Sequence, residues 1–426
     1  MKIAFVGQPS DGMAPPIHVG SVALWIYYMA RQLTAQNHSV IVIGNNGSRL
    51  VKKTLRRDHV NYVLTPTTIN SRLNRAGTYI GRIANQFSRK NNIDIYGSWQ
   101  NFYYAFLAAR VAARAQVDVV HVMNYSQFVP IIRSQNANAL IALHMHCEWL
   151  TQFPREIMLP RLRQTDLIIG CSQYITELIV DKFPEFAEKC VTVPNAADSI
   201  ANAYEILPKE RRVLYVGRLS PEKGVHDLIT AFRVMLESVP DATLHLVGSP
   251  GVVPFEYLVG LSDDPHVSAL RVFYERQQSS KEKDSYLEAL EQIAGPEIGR
   301  RIFFEGYADH NTISQHYLKA AVLVNPSLSE SFGISVIEAM MMKLPVVATR
   351  VGGMTHTVVA GETGLLVDPA DSAALANAIS KVLTDSELAH QLGSAGYARA
   401  QEKFSWHSAM DQLLDVYSGA GNGQWK

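Results

Sequence analysis

The chain has 426 residues, 47% of them hydrophobic and 18% charged, with 39 Lys and Arg balanced by 39 Asp and Glu. This length points to two compact domains, and this composition to a packed core, which excludes a disordered or fibrous chain. A formal net charge of zero gives no global field to draw the protein to nucleic acid, and no stretch approaches the ~18 apolar residues of a membrane span.

Residues 2–7 (KIAFVG) are a short apolar run ending in glycine. The run is too brief for a signal-peptide core and reads as a buried parallel strand. A loop rich in Gly and Pro follows to Ser21, then apolar positions at helical spacing over 22–34 (Val22, Leu24, Trp25, Tyr28, Met29, Leu33), then a strand at 40–43. This strand–loop–helix–strand start is the opening of a doubly wound sheet. Further strands are predicted at 60–64, 117–122, 140–144 and 167–169. The pattern restarts at 213–217, with a helix over 225–237 and strands at 242–247, 302–304, 322–325 and 345–348. Two such series predict an α/β protein of two Rossmann-like domains, 1–200 and 201–403, joined through the polar stretch 194–211. Residues 254–300, rich in charge, read as an insertion in the second domain. The last helix, 405–417, precedes the end of the chain. Cys147, Cys171 and Cys190 lack disulfide or zinc spacing and are expected to be reduced thiols in a cytoplasmic protein.

Chemistry concentrates in the second half. After the strand ending at Val324 comes NPSLSESFGISVIEAM, with Glu330 in the loop and Glu338 in the following helix, expected to start near Ser331 or Phe332. Free amides at a helix start attract anions and hydroxyl oxygens, Gly333 allows close approach of a ligand to the backbone, and a carboxylate can bind a vicinal diol. Two carboxylates with seven residues between them can hold two hydroxyl-rich groups of one ligand. The bland alternative is a helix-capping Glu330 and a solvated Glu338. Their position after a strand's carboxyl end shifts the balance, because open α/β sheets bind ligands there. A second cluster, Gly217-Arg218-Leu219-Ser220-Pro221-Glu222-Lys223-Gly224, places two cations on a strand-to-helix loop. Ser220 is suited to the N-cap and Pro221 to the first turn. Arg218 offers a bidentate fork to a diphosphate and Lys223 a point charge.

GRLSPEKGVHDLITAF, NPSLSESFGISVIEAM and LPVVATRVGGMTHTVVAGETGLLVD together resemble the donor domain of the retaining GT-B glycosyltransferases of family GT4. The resemblance is strongest from about Val213 to Asp368. In the first half, Gly20-Ser21 before a helix is similar to the family's glycine-rich loop, with serine in place of the second glycine, and 193–198 (VPNAAD) is similar to its interdomain segment, with Ala196 where glycine is common. The resemblance implies two domains facing across a cleft, the first domain bearing the acceptor and completed by the C-terminal helix over 404–426. It implies that Glu330, with the neighbouring residues Phe332, Gly333 and Ile334, binds the donor hexose, that Glu338 binds the ribose, and that Gly217, Arg218 and Lys223 bind the diphosphate. Gly20 and Ser21 touch the phosphate from the other domain, and His146 lines the acceptor side near the reacting carbon. Uridine diphosphate is the expected nucleotide and retention the expected outcome.

His144 and His146 share a strand face by alternation; His144 reads as a buried structural residue, and no further ligands complete a metal site. Between 49 and 90 the basic residues are Arg49, Lys52, Lys53, Arg56, Arg57, Arg72, Arg75, Arg82, Arg89 and Lys90, with Asp58 the sole acid. This asymmetry points either to a solvated loop or to an anionic partner, a phosphate-bearing or lipid-linked acceptor or the inner membrane surface. With Arg218 and Lys223 supplying the positive charge, no metal and no other cofactor is expected, and no Asp-x-Asp motif is placed to bind one. Three competing readings are a nucleotide-sugar epimerase on the same fold, an NAD-dependent oxidoreductase, weakened by the lack of G-x-G-x-x-G after either first strand, and a catalytically silent binding protein.

Overall fold

The computed structural model describes residues 1–15, 17, 20–46, 52–66, 101–198, 210–279, 285–309 and 312–421. The chain divides into two compact units, one made of Met1–Pro194 with Trp406–Lys426, the other of Asn195–Ser405.

The first unit is built on eight strands: β1 (Lys2–Val6), β2 (Ser39–Asn45), β3 (Lys53–Arg57), β4 (Val60–Thr65), β5 (Val119–Met123), β6 (Leu140–Met145), β7 (Leu167–Gly170) and β8 (Cys190–Thr192). Their order in the sheet is β3-β4-β2-β1-β5-β6-β7-β8. All neighbours are parallel except β3 against β4. Ile3, Ala4, Phe5 and Val6 are wholly buried, as expected of a parallel strand covered on both faces. The helix Ser21–Ala35 turns Trp25, Ile26, Met29, Ala30 and Leu33 inward, the three-and-four spacing of one helix face. The C-terminal helix Trp406–Gly421 belongs to this unit, and Trp406 packs its ring 5.1 Å from that of Tyr28.

The second unit has β9 (Arg212–Val216), β10 (Thr243–Val247), β11 (Ile302–Gly306), β12 (Val322–Asn325), β13 (Val346–Thr349) and β14 (Leu365–Val367). All are parallel, in the order β11-β10-β9-β12-β13-β14. The helices Val225–Met235 and Ser372–Thr384 bring Leu228, Ile229 and Phe232, and Leu375, Ile379 and Val382, into one apolar cluster. Within 254–300, Asp264 caps the helix Pro265–Ala269 through its side chain, and helices Arg271–Ser279 and Ser285–Ala294 follow.

Three strands were not anticipated. In β3 no residue is buried, so burial periodicity cannot reveal an edge strand held by ladder bonds to β4. Strands β8 and β14 have three residues each, too short for a period to show. Of the basic stretch, Lys52, Lys53, Arg56 and Arg57 lie among the described residues; Arg49, Arg72, Arg75, Arg82, Arg89 and Lys90 lie outside them, as does 199–209 of the expected linker. Among the described residues no helix is long and apolar enough to cross a membrane.

Candidate active site

In the second unit the strand order reverses around β9, with β10 on one side and β12 on the other. Where a doubly wound sheet changes direction, the connections leave toward opposite faces and open a crevice at the strands' carboxyl ends. The two loops at that point are 217–224 after β9 and 326–333 after β12. They are the two loops whose sequences carry the charged motifs.

The loops are pressed together. Gly224 has φ +64, and a Cβ there would lie 2.0 Å from the Pro326 carbonyl oxygen; this approach is open to glycine alone. The amides of Leu328 and Ser329 donate to the Glu222 carbonyl at 2.8 and 3.3 Å. On this frame Lys223 Nζ donates to Glu330 Oε2 at 2.7 Å. Burial alone would raise the Glu330 carboxyl. The Lys223 ammonium and the amides of Phe332 and Gly333 outweigh it and hold the carboxyl below the ordinary glutamate value.

Arg218 is held by its own loop. Its guanidinium donates to Glu222 Oε1 at 2.8 Å and to Ser220 Oγ at 3.2 Å, and Ser220 Oγ donates to the same Glu222 oxygen at 2.6 Å. Glu222 is only 3% exposed, and its second oxygen is buried without a partner among the described residues. Burial pushes the Tyr215 phenol upward, reinforced by Tyr286 and by the charges of Glu222 and Glu330. Tyr215 Oη donates to the Arg218 carbonyl at 2.7 Å. Gly217 anchors the loop by donating its amide to Val247 O at 3.0 Å. Ser220 stands at the head of the 3-10 turn Pro221–Lys223 but makes no capping bond; its hydroxyl serves Glu222 instead.

The helix after β12 begins at Ile334, later than Ser331 or Phe332, because Gly333 has φ 92 and ψ 64, outside right-handed helical geometry. Phe332 is buried, packed edge-on against Phe404 at 5.5 Å, while Ile334 is half-buried. Glu338 sits one turn into the helix. It is half-buried rather than solvated, and Tyr317 Oη donates to its Oε2 at 2.6 Å. Burial raises the Glu338 carboxyl, partly offset by that bond. The structure thus joins Lys223 to Glu330 and stitches the Arg218 loop to theirs. Among the described residues no hydrogen bond or ion pair ties Glu338 to those three.

In the first unit the sheet reverses at β1, between β2 and β5. The Asn124 side chain, just past β5, accepts from the His146 amide at 2.6 Å and donates to Gln8 Oε1 at 3.0 Å. Gln8 Nε2 donates to Asp11 Oδ2 at 2.9 Å, and Ser10 Oγ to Asp11 Oδ1 at 3.0 Å. Burial raises the Asp11 carboxyl, partly offset by these donors. Gly20, at φ 93, heads the helix Ser21–Ala35, and a Cβ there would come 3.9 Å from Asp11 Oδ2; Ser21 beside it is exposed. Sequence reasoning singled out Gly20, Ser21 and His146 but missed Gln8, Asp11 and Asn124. Their signal was position, directly after β1 and β5, and for Asn124 a left-handed φ of 58.

His144 is fully buried, with its ring 4.2 Å from that of half-buried His146. It meets His121 at 3.1 Å, which meets Tyr417 Oη at 2.6 Å. Burial, reinforced by neighbouring His146, brings His121 down to about 3 and His144 well below its ordinary value. None of the three cysteines is in a disulfide, and burial pushes the Cys147 and Cys190 thiols up to about 12, which keeps both protonated. Among the described residues no group of three or more His, Cys, Asp or Glu side chains is arranged to hold a metal ion.

Comparison with known proteins identifies the family. Residues 22–199 match the family model Glycosyltransferase Family 4, and residues 197–399 match Glycosyl transferases group 1. The chain belongs to the family 4 glycosyltransferases of the GT-B fold. This glycosyltransferase is 23% identical to glycogen synthase of Mycobacterium tuberculosis over 442 aligned residues, which cover 96% of this chain and 94% of that one. It is 32% identical to D-inositol 3-phosphate glycosyltransferase of Corynebacterium diphtheriae over 215, covering 50% and 44%. Among solved structures it shares the fold of sucrose-phosphate synthase from Thermosynechococcus elongatus, with a TM-score of 0.69, 22% identity and 99% of each chain covered. It also shares the fold of Anabaena HepE in complex with UDP-glucose, with a TM-score of 0.66, 20% identity and 98% and 100% covered.

Proposed function

We propose that this glycosyltransferase moves a hexose from a nucleoside diphosphate sugar, with uridine as the base, to an acceptor hydroxyl, with retention and without a metal. The observation that carries the reading is the Lys223–Glu330 contact of 2.7 Å, made across the reversal point of the second sheet. It puts a cation suited to phosphate and a carboxylate suited to sugar hydroxyls within one ligand's length of each other. Breaking the sugar–phosphate bond builds negative charge on the diphosphate and positive charge on the ring. Arg218 and Lys223 stabilise the first, and Glu330, oriented by the Phe332 and Gly333 amides, holds the hexose. Glu338, kept in place by Tyr317, takes the ribose diol. Of the first unit's residues, His146 serves the acceptor side, and Gly20 and Ser21 serve the donor phosphate. The acceptor attacks from the face the diphosphate leaves, and the departing phosphate oxygen takes the hydroxyl proton. The binding of UDP-glucose by the Anabaena protein supports this donor class.

The test is a thermal-shift screen over uridine, guanosine and adenosine diphosphate sugars. Ligand at ~100 times Kd adds about 2.7 kcal/mol of stability. The expected result is a shift with a uridine diphosphate sugar that is lost in Lys223→Ala and Glu330→Ala. No shift with any donor, or an undiminished shift in both variants, overturns the assignment.

A further inference from the structure

The helix Phe102–Ala115 of the first unit has the sequence FYYAFLAARVAARA, without a single acid. Its inner face is small and apolar: Ala105, Ala108, Ala109 and Ala112 are wholly buried, together with Tyr104. Its outer face is of another kind. Phe102, Phe106, Arg110 and Arg114 recur every four residues and form one stripe. The Phe102 and Phe106 rings stack at 6.4 Å and 13°, and the Arg110 guanidinium lies 5.6 Å over Phe106. Phe102 is 41% exposed. Beside this stripe Leu107 and Val111 line a hollow of about 200 Å³ together with Arg110, Arg114, Thr65 and, from the segment leading into β3, Lys52. The edge strand that follows carries further exposed cations, Lys53 and Arg57 on one face and Arg56 on the other. Among the described residues none of these cations is paired with an acid; Asp58 is taken by Arg31.

We propose that this face of the first unit docks on an anionic phospholipid surface, with a lipid phosphate among Lys52, Arg110 and Arg114 and its apolar portion against Leu107, Val111 and the phenylalanines. Cations alone would suit any anion. Apolar lining residues with an exposed aromatic beside them call for an anion joined to hydrocarbon, the composition of a helix that lies in the lipid interface. The attraction is a sum of small terms that salt screens, so docking is reversible. The proposal is independent of the donor site, from which none of these residues is drawn.

Vesicle co-sedimentation of the full chain tests it, with phosphatidylglycerol–phosphatidylcholine mixtures set against phosphatidylcholine alone. The expected result is binding to the anionic vesicles at low salt, release at high salt, and none to the neutral ones. The double variant Arg110→Glu with Arg114→Glu, at exposed positions, keeps the wild-type melting temperature and donor shift and partitions at least about thirtyfold more weakly, since each basic residue at a leaflet contributes roughly fivefold. Wild-type protein left in the supernatant with anionic vesicles at low salt overturns the proposal. So does a double variant partitioning within threefold of wild type. Stabilisation by inorganic phosphate without vesicle binding makes the hollow a small-anion site and likewise overturns it.

Discussion

Lys223 and Glu330 neutralise each other in the site proposed to bind the donor, where each is assigned a second task. Their side chains are 22% and 17% exposed, so the pair is screened by solvent only in part. An ammonium has three donors, and the one on Glu330 leaves the others for a diphosphate. Replacing Lys223 or Arg218 by Ala is expected to lower kcat by roughly 10²–10³, the scale for one lost transition-state donor, in a steady-state assay with the donor found by the shift screen. Lys223→Ala has a second consequence. Glu330 is held below the ordinary glutamate value, so its share of stability is present above that value and lost as pH falls through the lowered one. Without Lys223 the carboxyl loses its strongest lowering partner, that share of stability is smaller already at neutral pH, and the further loss on acidification, followed by circular dichroism, is shallower than in wild type. In the proposed mechanism Glu222 acts only through Arg218, as a positioning residue. Glu222→Gln keeps the volume but weakens a charge-assisted bond, and kcat is expected to fall about tenfold with KM for donor little changed. A parallel rise in KM would mean that Arg218 merely binds.

At the scale of elements, two loops from different strands behave as one body because glycine lets them touch. Gly224→Ala sets a Cβ 2.0 Å from the Pro326 carbonyl at a φ of +64. It is expected to destabilise the second unit by at least about 2 kcal/mol and to abolish the donor shift; a denaturant melt with and without donor reads both. The helix Ile334–Met341 depends in a similar way on the helix Ile313–Lys319, whose Tyr317 donates to Glu338. Tyr317→Phe leaves a half-buried carboxylate oxygen without its donor, a cost of about 1 kcal/mol. Urea unfolding measures that loss, and weaker binding of the nucleoside diphosphate alone, without its sugar, would show that Glu338 serves the ribose.

Across the whole molecule, acid sensitivity has a clear source in the first unit. His121 and His144 are neutral and buried there, stacked or edge-on against Trp25. Their values are lowered, His121 to about 3 and His144 well below its ordinary value, so in the window below 6.5 the unfolded chain binds protons that the folded chain refuses. Stability therefore falls as pH drops through that window, by up to about 1.4 kcal/mol per pH unit for each imidazole. Amide protection factors in β5 and β6 are expected to fall between pH 7 and pH 5, and a His121→Gln variant to show a flatter response. Equal slopes in both proteins would place the acid sensitivity elsewhere.

What the residues determined by themselves is local in origin. The apolar runs of β1, β5, β9 and β12, the turn glycines that follow β1 and β9, and the charged loops at 217–224 and 326–333 are patterns of neighbours along the chain. Strand period and loop chemistry suffice to read them, and the family resemblance then attached roles. Tertiary structure decided what depends on distance in space. That Lys223 meets Glu330, that Tyr317 holds Glu338, that Gln8, Asp11 and Asn124 form one polar track to His146, and that Arg110 and Arg114 join Lys52 around one hollow all require strands far apart in sequence to lie side by side. Hydrogen bonds and ion pairs act over a few ångströms, and strand order sets which side chains come within that reach.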